Sequence, residues 1–172
     1  MNSYSIIKLK VLIALFVSTF SAQVHAAVPA KIRFLQGTGS QIGGMAGGGF
    51  TLTGMRLSQD KKKKVERVVM DIGDKNGQAI RGLPGYFHVE LKNNPQRLIV
   101  NMAQMPHSNV DAQRIANIFQ KSMAVKKTAL ALDPIDSTLI LSLDLKPNTK
   151  VRVLQVAGKK QTSRVVLDLI SQ

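Results

Sequence analysis

The chain contains no cysteine. That absence removes disulfides, cysteine-ligated metals and thiol catalysis together. It also leaves no residue for lipid attachment at a lipoprotein-type cleavage site. Histidine is nearly as scarce, with three in 172 residues. Only His88 and His107 lie beyond residue 26, whereas a zinc hydrolase needs several His and acidic ligands around an open coordination position. Acids number ten against 24 Lys and Arg. Asp71, Asp144 and Asp168 are scattered through strand-like segments, and no spacing pairs them for acid–base chemistry. No serine sits in a nucleophile-elbow pattern. The inventory points away from an enzyme, and neither a cofactor nor a metal site is expected. Long apolar runs are also missing. The longest, "VLIALFV" at residues 11–17, falls short of the ~20 residues that cross a bilayer.

That short run has a specific context. Lys8 and Lys10 precede it, and "SAQVHA" follows, ending in Val24-His25-Ala26. A basic start, an apolar middle and small residues at the end form the three-part pattern of a secretory signal peptide. The reading is a signal at residues 1–26, cleavage after Ala26, and export to the periplasm of a Gram-negative-type envelope with no transmembrane segment left behind. The formal charge is +14, and the first 26 residues carry two lysines and no acid, so the exported chain carries +12. Such a surface attracts nucleic acid, anionic lipid or a carboxylate-bearing cell wall, and export argues against nucleic acid. Lys61, Lys62, Lys63 and Lys64 concentrate this charge in one turn. The turn is either a solvated loop or an electrostatic patch for an anionic envelope surface.

Residues 27–49 read as a short N-terminal segment followed by a glycine-rich linker. Eight of the thirteen glycines fall within residues 37–54, and glycine loses the most backbone entropy on ordering. A phosphate-cradling loop would need a Gly-Lys-Ser/Thr ending and a following helix, and "GGGFTLTG" has neither. From Phe50 to Gln172 the punctuation is that of one all-β domain. "FTLTGMRL", "VERVVMDI", "YFHVELK", "RLIVNM", "AVKKTALAL", "STLILSLDL", "KVRVLQVA" and "SRVVLDLI" read as short strands, with turn residues between them. One segment, "SNVDAQRIANIFQ" at 108–120, has helical spacing instead, with Ser108 or Asp111 as a cap. The expected fold is a β-sandwich of two small sheets with one short helix.

Three strands share one sentence: "RVVMDI" at 67–72, "RLIVNM" at 97–102 and "RVVLDL" at 164–169. Strand alternation gives each one apolar face and one face with Arg at one end and Asp or Asn at the other. Ion pairs across the sheet account for such a face. If the three strands are neighbours, Arg67, Arg97 and Arg164 line one edge of it, where guanidinium forks could hold carboxylates. Tyr86 and Phe87 offer stacking area for a sugar. Alternation turns one of them inward, and Phe87 is the expected core residue.

The order of pieces carries a resemblance. "ERVVMDI", then "YFHVELKNNPQRLIVNM", then a helical segment, and a close on "SRVVLDL" is similar to the AMIN domain. That module targets periplasmic amidases and some pilus secretins. Its typical segment F-x-L-x-N-P-x-R-L-V-V-D stands here as Phe87, Val89, Leu91, Asn94, Pro95, Arg97, Leu98, Ile99 and Val100, with Asn101 where the family has an acid. The resemblance covers about residues 52–170. It implies a two-sheet sandwich that binds peptidoglycan, and its motif supports Asn94 and Arg97; with Arg67, Arg164 and Tyr86 from the strand reading, these are the candidate contacts. It also implies recruitment to a division site or to an envelope machine. The alternative reading is a protein-interaction module for a secretin, an amidase or a divisome partner, engaged by strand addition.

Overall fold

A computed structural model describes residues 34–158 and 163–171. The expected signal peptide at 1–26 lies outside these residues. Strands run β1 (Phe34–Leu35), β2 (Gly39–Gly43), β3 (Thr51–Asp60), β4 (Val65–Gly73), β5 (Phe87–Lys92), β6 (Arg97–Met102) and β7 (His107–Ser108). Helix α1 (Ala112–Phe119) follows, then β8 (Val125–Asp133), β9 (Thr138–Leu145), β10 (Lys150–Val156) and β11 (Ser163–Ile170). They form two sheets, β1-β10-β11-β4-β3-β7 and β2-β5-β6-β9-β8. The all-β two-sheet sandwich with one short helix is therefore the fold of the chain.

Alternation builds it. On β9, Leu139, Leu141, Leu143 and Leu145 are buried while the residues between them are not. Val68, Met70 and Ile72 of β4 meet Leu98, Val100 and Met102 of β6 and Val165, Leu167 and Leu169 of β11 in one continuous core. Phe87 is fully buried and Tyr86 is exposed, as the alternation requires. Asp111 caps α1 by accepting from the Arg114 N–H at 2.7 Å, and Ile115 and Phe119 turn into the core.

Part of the segment read as a linker is a strand. β2 pairs antiparallel with β5 along Gly39–Gly43, so ordered pairing reaches well before Phe50. Glycine composition concealed it. A Cβ on Gly43 would stand 2.5 Å from the Phe87 ring and 2.7 Å from Gln155 Oε1, so the strand lies close only because the side chain is missing.

The repeated sentence splits between the sheets. β4 and β11 are antiparallel neighbours, with Arg67 opposite Asp168 and Arg164 opposite Asp71. β6 lies in the other sheet, between β5 and β9. The single arginine-lined edge expected from three adjacent strands therefore does not form. Antiparallel pairing sends Arg67 and Arg164 to opposite ends of one sheet, and Arg97 sits on the other sheet.

Candidate binding surface

The outer face of the six-stranded sheet is built from alternating charges. Asp168 is fully buried and lies between two guanidinium groups. Arg67 donates to it from Nε at 2.6 Å and from a terminal nitrogen at 3.0 Å, and Arg152 donates from Nε at 2.9 Å. Burial pushes the Asp168 carboxyl up, but the hydrogen bonds from Arg67 and Arg152 outweigh it and hold it below the usual carboxylate range. Four residues along, Asp71 accepts from Arg164 Nε at 3.0 Å and also pairs with Arg56. Between these charged rows lie Val69 and Val166, directly opposite each other and nearly buried.

The middle copy has looser surroundings. Arg97 Nε donates to Asp144 of β9 at 2.5 Å, and the two side chains are 44% and 27% exposed. That bond holds the Arg97 guanidinium above its usual pKa. Lys127 of β8 stands beyond Asp144 in the same row. A hollow of about 160 Å³ opens here, lined by Arg97, Lys127, Ser142 and Asp144.

The turn before Arg97 forms one wall of a larger cleft, about 370 Å³. Asn94 has φ of 61° and a cis bond to Pro95, and Asn148 in the β9–β10 turn has φ of 62°. Asparagine tolerates this left-handed geometry. Gln36, Asn93, Asn94, Gln96 and Asn148 line the cleft with side-chain amides, Lys126 adds a cation, and Leu145, Pro95 and Pro147 supply apolar surface. Gln96 Nε2 ties the two turns together by donating to the Thr149 carbonyl at 2.6 Å. A third hollow, about 380 Å³, lies on the six-stranded sheet beside Lys63, Arg67 and Arg152.

All three open at the same end of the sandwich. The registers place the β3–β4 turn, the end of β5, the starts of β6, β8 and β10, and the end of β9 there together. A buried carboxylate locks this end. Glu66 accepts from Gln59 Nε2 at 2.6 Å, Ser122 Oγ at 2.5 Å, and the Met123 and Ala124 N–H groups at 2.6 and 3.1 Å. Cations are denser at this end than at the other. Lys61 to Lys64, Lys92, Arg97, Lys126, Lys127, Lys146 and Lys150 outnumber Asp60, Glu66, Asp144 and Asp168 here, while at the opposite end Asp74, Asp111, Asp133 and Asp136 lie among Lys75, Arg81 and Arg164.

The candidates from sequence are thus partly brought together. Arg67, Asn94, Arg97 and the four-lysine turn share the basic end. Arg164 and Tyr86 sit at the other end; Tyr86 precedes β5, about 20 Å of strand away from Asn94. Arg152, Lys126, Gln36 and Asn148 were not found from sequence. Each belongs to a segment that reads as an ordinary strand or turn, and only the pairing brings them into the cleft or its flanks. Among the described residues no group of three or more His, Asp or Glu side chains is placed to hold a metal ion. No helix of the described residues is long and apolar enough to cross a membrane. No protein-family model matches the chain, and no curated protein matches it.

Proposed function

We propose that the protein is a non-enzymatic module of the periplasm that binds peptidoglycan, in the manner of an AMIN domain, through the basic end of its sandwich. One observation carries this reading. The amide-lined cleft sits at the Asn94–Pro95 turn, which bears the family-like motif; Lys126 lines it, and Lys92, Arg97, Lys146 and Lys150 adjoin its lining turns in the chain. Side-chain amides donate to and accept from the amides and hydroxyls of glycan and stem peptide. Lysine and arginine around them attract free stem carboxylates. The cleft is open, as a ligand that continues past the protein on both sides requires.

The test is co-sedimentation of the purified exported protein with isolated, protein-free sacculi in low and near-physiological salt. Arg97→Ala and Lys126→Ala variants, with folding checked by circular dichroism, run beside it. Pelleting that survives salt and weakens in both variants is the expected result. Pelleting that vanishes in salt equally for all three reduces the interaction to net charge. A second reading is an interaction module for a secretin, amidase or divisome partner by strand addition. It is favoured by the nine-residue β8, which has a partner strand on one side only. Absence of pelleting under every condition moves the function there.

A further inference from the structure

Four strands end the two sheets. β1 and β7 are two residues each, and β2 is a glycine-bearing five. β8 is nine residues long and pairs only with β9. Helix α1 packs beside β8, and the Val125 N–H donates to Ser122 Oγ at 2.8 Å; beyond that first residue, among the described residues, no hydrogen bond from elsewhere in the chain reaches the backbone edge of β8 that faces away from β9. Natural proteins blunt such edges with charges or bulges. Here Lys126, Lys127 and a bulge protect only the start. From Thr128 to Leu132 the strand reads Thr-Ala-Leu-Ala-Leu, without a charge, and Leu132 is 45% exposed.

The strand is also self-complementary. Turned antiparallel about Leu130, a second copy would set Lys127 opposite Asp133, Thr128 opposite Leu132, and Ala129 opposite Ala131, each twice. The outer face strengthens the match. Arg97, Asp144 and Lys127 already form one alternating row across β6, β9 and β8. Asp133 of the second copy would extend that row with the next opposite charge. Opposite charges facing across strands are favourable, and like charges there are not. The alanines on the same face leave no bulk to hold two edges apart.

We propose that the chain forms a two-fold dimer by joining its β8 edges in this register. The two five-stranded sheets then become one continuous ten-stranded sheet. Leu132 is covered, and the backbone groups left open on β8 are paired. The dimer does not depend on what the basic end binds.

Sedimentation velocity over a concentration series tests it, using the purified exported protein with Lys127→Asp and Asp133→Lys variants. Each variant alone sets like charges opposite each other twice and is expected to weaken self-association about tenfold or more. An equimolar mixture of the two restores opposite charges at both positions and is expected to recover the dimer. Circular dichroism confirms that each variant is folded. A wild-type chain that stays monomeric at every concentration overturns the proposal. So does a dimer indifferent to both variants, or a mixture that fails to recover.

Discussion

On the six-stranded sheet, two guanidinium groups close on a carboxylate that has no exposed surface. On the five-stranded sheet, the same sequence pattern gives Arg97 a partner, Asp144, that remains partly in water beside an open hollow. The residues are nearly the same and the neighbours differ. β4 and β11 are two copies of one sentence set against each other, so each Arg finds the other's Asp. β6 has no second copy beside it, and its own acid position is Asn101, which faces His88 and Ile140. One charged pair is thereby built around a buried carboxylate and the other stays partly in solvent.

The largest expected effects test whether the difference is confined to the outer faces. Leu167→Ala in β11 and Leu98→Ala in β6 remove equally buried side chains, so each is expected to cost about 2–5 kcal/mol in urea unfolding. A marked inequality would mean that the two sheets also differ inside. Next comes Asp168→Asn, expected to cost about 2–3 kcal/mol because two arginines lose a buried acceptor. Asp144→Asn is expected to cost under about 1 kcal/mol, since its pair is partly solvated. Equal losses would erase the contrast. The acid limb sharpens it further. The folded Asp168 carboxyl titrates below its unfolded range, so its contribution is complete above that range and is lost as pH falls through the lowered folded value. The gap between wild type and Asp168→Asn should therefore hold steady near neutrality and close in strong acid. The smallest expected change in stability belongs to Arg97→Ala, for which the sensitive measurement is sacculus pelleting.

Much of the fold was legible because a strand writes its buried face into every second residue. β4, β5, β6, β9, β10 and β11 were all readable on that basis, and the α1 period and its Asp111 cap stood out against them. What alternation does not encode is which strands are neighbours. Three similar strands suggested one sheet, yet two satisfy each other's charges and the third lies across the core. β2 escaped notice because its glycines, which suit a close approach to Phe87, also resemble a linker. The cleft was hidden for a related reason. Gln36, Asn94, Lys126 and Asn148 are separated by dozens of residues and meet only after three different strand pairings have formed.

The place of β11 has a consequence for how the molecule comes to exist. The last strand in the sequence is an interior strand of its sheet, with β10 on one side and β4, some hundred residues earlier, on the other. Until residues 163–170 are available, β4 lacks a neighbour, Arg67 lacks its acceptor, and the six-stranded sheet is two separate pieces. Contacts so distant along the chain form slowly. A chain emerging from a ribosome or an export channel with its first residues leading could therefore assemble the five-stranded sheet early, whereas the two pieces of the six-stranded sheet would be joined only when residues 163–170 arrived.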